Sequence, residues 1–150
     1  MRPLLFNEYA LALVMRGRQG AVRHRIHALT PDRFLDEGGQ QLIPSLMEEF
    51  QLDVPLLKRV ARQSDTEVIV PFEGDGALFH VLPEAFNSVP PRAEVGASEL
   101  VIAKHDFEQT LLEINRYLES LSYTAKRFNE TLTDIVATEL KKRKKQLGLM

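Results

Sequence analysis

From Phe107 onward, apolar residues recur at Leu111, Ile114, Leu118, Leu121, Ala125, Phe128, Leu132 and Ile135, in alternating steps of four and three. Only an α-helix carries that spacing on one face. No Gly or Pro interrupts residues 106–147, so the pattern predicts a long C-terminal helix or helical hairpin there. A single helix would be about 63 Å long at 1.5 Å per residue, roughly twice the width of a domain this size. The weakest helical stretch is Asn129-Glu130-Thr131-Leu132-Thr133-Asp134, in which Thr131 and Asp134 resemble a capping box. A hairpin breaking near 129–132 is therefore expected.

The same spacing invites a coiled coil, with Leu111, Leu118, Ala125 and Leu132 at a and Phe107, Ile114, Leu121, Phe128 and Ile135 at d. Dimeric coils place Glu and Lys beside that seam. Here the flanking positions hold Asn115, Ser122, Asn129, Val136, Thr110, Tyr117, Thr124 and Thr131, and Glu108 alone is charged. Leu112, Tyr117, Val136 and Leu140 widen the stripe, as in a helix that covers a sheet or another helix. Packing within the chain is the favoured reading.

Upstream the period changes twice. Residues 1–63 read as a helical lead-in. An amphipathic run through Leu4, Leu5, Tyr9, Leu11, Ala12 and Met15 is expected to end at Gly17 and Gly20. Thr30-Pro31-Asp32 has Thr at a cap and Pro at the first helical position. Gly38-Gly39 is expected to break the chain before Leu42, Ile43, Leu46, Met47 and Phe50 resume helical spacing. Asp53-Val54-Pro55 reads as a turn. Residues 64–105 alternate instead: Thr66–Phe72 is a strand, Gly74-Asp75-Gly76 a turn, and Ala77–Leu82 its expected hairpin partner. A loop with Pro83, Pro90 and Pro91 leads to a second hairpin, Arg92–Val95 with Glu99–Ala103. Three or four antiparallel strands over about 66–104 need a cover, and 106–147 is the candidate. The fold class is α+β, in a single domain over 1–150.

Composition adds exclusions. With 44% hydrophobic and 27% charged residues the chain reads as an ordinary globular protein. It has no Cys, which removes disulfides, thiolate metal sites and Cys nucleophiles. No secretory leader or membrane span is evident, so no membrane partner is expected and the cytoplasm is the expected location. Charge is uneven: residues 64–121 carry net −8 between ends at +2 and +4. That argues against one nucleic-acid surface covering the middle of the chain.

Chemistry is sparse. His24 and His27 are three apart, but two ligands beside Arg23 and Arg25 do not make a metal site. Glu67, Glu73, Asp75, Glu94 and Glu99 lack the acidic-x-Lys strand of a metal-dependent nuclease, since Lys104 lies too far beyond Glu99. Ser98 and Ser122 have no His placed to activate them. Gly74-Asp75-Gly76 lacks the further glycine and helix of a phosphate loop. No catalytic residue, metal or cofactor is expected. Two basic tracts, Arg16, Arg18, Arg23 and Arg25, and Lys141, Lys142, Arg143, Lys144 and Lys145, fit solvated helix faces or nucleic-acid contacts. The second also suits the negative end of a helix dipole.

The strings Val70-Pro71-Phe72-Glu73-Gly74-Asp75, Leu78-Phe79 with Pro83 and Phe86, and Pro90-Pro91-Arg92-Ala93-Glu94-Val95 resemble a module of uncharacterised bacterial proteins. The resemblance spans about 66–147 and extends to Glu99-Leu100-Val101, Phe128-Asn129 and the basic close. Members often carry a Pro after Phe-Asn, which this chain lacks, and commonly continue past the basic helix, some into an effector-like domain. The resemblance implies a scaffold or sensor, in a bacterial defence setting, and no catalytic residues. The expected function is non-enzymatic: self-association as a homo-oligomer, or docking of another protein. The surface expected for it comprises Pro83, Phe86, Pro90, Pro91, Arg92 and the basic end 141–145. Nucleic-acid binding by Arg16–Arg25 and Lys141–Lys145 is the alternative.

Overall fold

The computed structural model describes residues 2–83 and 89–149, with backbone alone for 35–40. Its elements are β1 (Tyr9–Ala10), α1 (Leu11–His27), α2 (Pro31–Phe50), β2 (Leu56–Leu57), β3 (Arg62–Gln63) and β4 (Glu67–Glu73), then a 3-10 turn (Gly76–His80), β5 (Val81–Leu82), β6 (Glu94–Val95), β7 (Glu99–Ala103) and α3 (Phe107–Gln146). The fold is α+β, with a small five-stranded antiparallel sheet, a separate parallel pair of β1 and β5, and a long C-terminal helix. It divides into two compact units, Met1–Val14 with Asp53–Ala125, and Met15–Leu52 with Lys126–Met150.

In the first unit β4 is central. It pairs antiparallel with β7 from Glu67↔Ala103 to Pro71↔Glu99, and β6 continues the sheet beyond β7. Val68, Val70 and Phe72 of β4 and Leu100 and Ile102 of β7 are buried in alternation, as period-two patterning requires. They share the core of this unit with Ile114, Tyr117, Leu118 and Leu121 of α3. β2 and β3 both lie along the other edge of β4, so the sheet begins ten residues before the expected start at 66. Pro71 explains their separation. Phe72 N–H donates toward β7, to Ser98 O at 2.9 Å, so the N–H that Pro71 lacks belongs on the opposite side. There the edge segment bulges: it advances from Lys58, bonded to Pro71 O, to Arg62, opposite Ile69, using four residues against two.

The first expected hairpin does not form. Asp75 caps the 3-10 turn through a 3.0 Å bond from Ala77 N–H, which puts Leu78 and Phe79 into the core. β5 then pairs in parallel with β1. The hairpin of β6 and β7 forms as expected. The N-terminal stretch before Leu11 is not helical. Phe6 takes a left-handed backbone (φ 54) and is fully buried, stacked 4.6 Å from the Tyr117 ring. Its N–H donates to Phe79 O at 2.6 Å. Phe79 in turn meets Phe72 edge-on at 4.9 Å.

The second unit is three-helical. Val22, Ile26 and Leu29, then Phe34, Leu42, Leu46 and Leu52, then Phe128, Leu132, Val136 and Leu140 form its core. Neither glycine pair breaks a helix, contrary to expectation. α1 passes through Gly17 and Gly20, and α2 through Gly38, Gly39 and Pro44. Glycine costs a helix about 1 kcal/mol relative to Ala, whereas burying a single Leu yields about 1.5–3 kcal/mol. Packing wins. Thr30 and Pro31 do start α2, although the Thr30 hydroxyl bonds Asp32 rather than a backbone amide.

α3 is one helix of 40 residues, not a hairpin. The polar stretch expected to break it is accommodated inside the turn-to-turn ladder. Thr131 and Thr133 hydroxyls donate to the carbonyls four residues back, Arg127 O and Asn129 O, at 3.1 and 3.0 Å. Asn129 clasps the Leu52 backbone, accepting from its N–H at 2.8 Å and donating to its C=O at 3.0 Å. The apolar stripe is buried within the chain and it precesses. Phe107, Leu111 and Ile135 are only half-buried, while Tyr117, Val136 and Leu140 are buried. A straight helix drifts about 20° per heptad against a strict seven-residue repeat.

Candidate interaction surface

The first basic tract is largely committed inside the second unit. Arg18 Nη1 donates to Gln51 O at 2.9 Å and Phe50 O at 3.3 Å, closing the carbonyl end of α2. Arg25 pairs with Glu49 at 2.8 Å and Arg23 with Glu139 at 3.8 Å. Arg16 is exposed, with no bond to the described residues.

The second tract divides by helix face. Arg143 places Nε and Nη2 on Leu29 O at 3.0 and 2.9 Å. Lys144 lies 5.9 Å above the Phe34 ring, and Lys142 is 3.6 Å from Glu139. Lys141 and Lys145, four apart on the outer side, are exposed and bond none of the described residues.

Sequence reading missed Glu139, the buried charged residue of the described structure, at 8% exposure. Its Oε2 is 3.0 Å from His27 Nε2, and Oε1 faces Lys142 and Arg23. A carboxylate out of water costs several kcal/mol unless it is paired, and both oxygens are engaged here. The group therefore ties α1 to α3. A groove of about 280 Å³ runs beside it, lined by Arg23, Thr131, Asp134, Thr138 and Lys142. His24 is exposed and is not part of this cluster. Among the described residues no three His, Cys, Asp or Glu side chains are placed to hold a metal ion.

In the first unit the proline segment moors the N-terminus. Pro91 O accepts from Leu5 N–H at 2.8 Å, Arg92 Nη1 donates to Arg2 O at 2.7 Å, and Ala93 N–H donates to Pro3 O at 3.1 Å. Pro83 and Pro91 are buried and Pro90 half-buried, while Phe86 lies outside the described residues. The sheet edge at 56–63 is bulged and carries Lys58 and Arg62, paired with Glu73 and Glu99. Charged, bulged edges resist strand addition.

The outer side of α3 in this unit is different. Leu112 and Tyr123 are 47% and 70% exposed and, eleven residues apart, stand on one azimuth of the helix. Arg116 and Glu119 lie between them, both exposed, with no bond to the described residues. Leu112 was expected to widen the buried stripe; it faces away from it. At the start of α3 an open hollow of about 510 Å³ is lined by Lys104, Asp106, Phe107, Glu108, Gln109 and Leu112. Lys104 Nζ stands 5.1 Å from the Phe107 ring centroid. The charges inside this outer stripe hide it from a search for apolar periodicity. In the sequence its signal is Leu112, Arg116, Glu119 and Tyr123 at four-three-four spacing, which shares one helix face.

No described helix is long and apolar enough to cross a membrane. No protein-family model, curated protein or solved structure matches the chain.

Proposed function

We propose that this chain is a non-catalytic interaction module that works through protein–protein contact, by self-association or by docking a partner. The observation that carries the reading is the pair Leu112 and Tyr123, exposed on one face of α3 beside an open hollow. Tyr and Arg are enriched among the residues that anchor interfaces, and Leu112, which lines the hollow, adds exposed apolar area to the same face. The resemblance of residues 66–147 to a module of bacterial proteins adds a setting, a scaffold or sensor in a defence system.

Nucleic-acid binding is the second reading. Arg16, Lys141 and Lys145 favour it, being the tract residues left exposed and unbonded within the described structure. Most other members of both tracts are engaged within the chain, which limits the phosphate contacts they can make without losing packing.

Light scattering over a concentration series, with a pull-down alongside, tests the first reading. Association or a specific partner supports it, and a strict monomer with no partner overturns it. A labelled duplex retarded at low salt, with retardation lost in Lys141→Glu/Lys145→Glu, would move the assignment to the second reading.

A further inference from the structure

The outer face of α3 has a second four-three-four seam, Leu112, Arg116, Glu119 and Tyr123, all exposed. Its order is apolar, positive, negative, apolar, which is self-complementary under one operation only. Turn a second copy antiparallel about a twofold axis that passes the helix between Tyr117 and Leu118. Arg116 then meets Glu119 of the second copy, and Leu112 meets Tyr123, each pair occurring twice as an isologous contact requires. A parallel pairing would oppose Arg116 to Arg116 and Glu119 to Glu119, like charge against like, which disfavours it.

The hollow at the start of α3 lies at the level this arrangement needs. Tyr123 of the second copy, opposite Leu112, reaches the space bounded by Phe107, Gln109 and Leu112, with Lys104 beside it. We infer that α3 self-associates through this seam as an antiparallel homodimer, each Tyr123 ring seated in the other copy's hollow beside Leu112. The inference rests on the protein-interaction reading above and names its occupant, a second copy of this chain. The contact is small. A stable dimer buries about 800 Å² per partner, and two apolar rungs with one repeated ion pair give less. The dimer is accordingly weak and reversible.

Sedimentation equilibrium of the full chain, from a few micromolar to about 1 mM, tests this, with circular dichroism to verify that each variant keeps its helix. Arg116→Glu and Glu119→Arg each oppose like charges twice and raise the dissociation constant by about tenfold or more. The double swap Arg116→Glu/Glu119→Arg restores opposite charges and returns it to within about threefold. Tyr123→Ala weakens association as well. Rescue by the swap is what a merely folding-related role cannot produce. A chain that stays monomeric throughout overturns the seam, while a docked partner in the pull-down would leave the interaction reading standing. A dimer indifferent to Arg116→Glu and Tyr123→Ala overturns it too, and moves self-association to another face.

Discussion

At the scale of single residues, backbone geometry and isolated charges set the sharpest requirements. Gly74 has φ 111, and a Cβ there would lie 2.9 Å from Pro55 Cα and 3.0 Å from Val54 O, both backbone atoms that cannot swing aside. Gly74→Ala should cost about 1–3 kcal/mol, read as a lower urea midpoint. Glu139 presents the electrostatic counterpart. Its removal leaves His27, Arg23 and Lys142 around an empty place. Because Arg23, Lys142 and the His27 ring are each about half-exposed, Glu139→Ala should cost about 1–2 kcal/mol rather than the full penalty of a buried pair. Asp32 is held below the usual carboxylate range, chiefly by the Thr30 hydroxyl and then by backbone N–H groups. A folded value below the unfolded one adds stability above the ordinary range and loses it as pH falls. The advantage of the native chain over Asp32→Asn should thus be complete near pH 6 and shrink below about pH 4, in urea titrations at stepped pH.

At the scale of elements, helices persist here because of what they bury. At Gly17 and Gly20 nothing lies within 4 Å of where a Cβ would stand, so the methyl of Ala would meet open space. Each Gly→Ala change should raise stability by about 0.5–1 kcal/mol through the unfolded chain's entropy, seen as a higher melting temperature. Asn129 has the opposite sensitivity. Its amide makes two bonds to Leu52, and Asn129→Ala leaves a backbone donor and acceptor without them, costing about 1–3 kcal/mol. Asn129→Asp keeps the bond from Leu52 N–H but sets an anion against Leu52 O, so it should not restore stability. If Asn129→Ala melts like the native chain, the clasp is not what secures Leu52 to α3.

For the whole molecule, charge is divided as the units are. The unit of Met1–Val14 and Asp53–Ala125 holds seven Lys/Arg against thirteen Asp/Glu, net −6, and the other holds twelve against eight, net +4. Within the basic unit, cations that bond protein and cations that face solvent should separate in experiment. Arg143→Ala removes two donors from Leu29 O and should cost about 1–3 kcal/mol. Lys141→Gln/Lys145→Gln touches no bond of the described residues and loses only the attraction to the negative end of α3, about 0.5 kcal/mol. Thermal melts of the two variants check the contrast, and the same pair of lysines is the one to follow in the duplex-binding assay.

Much of the architecture was legible one residue at a time. Steps of four and three from Phe107 to Ile135 determined a helix, and alternation in Glu67–Glu73 and Glu99–Ala103 determined strands, because those periods follow from backbone geometry alone. Thr30-Pro31 determined the start of α2 by the same local logic. Where the helices stop was not local. Gly17, Gly38 and the Thr131–Asp134 stretch read as ends, and only burial of Val22, Leu42 and Leu132 outweighed their propensities. Strand partners were likewise tertiary: β4 passes over its neighbour in sequence for β7, because Asp75 turns the chain and the core takes Phe79. The candidate surface depended most on the fold. Leu112 reads as a widening of the apolar stripe, but it follows Leu111 by one residue, about 100° round the helix, and the packing on the other side leaves it on the solvent face. Sequence by itself determined the repeat; the tertiary structure alone decided which side of it was left facing solvent.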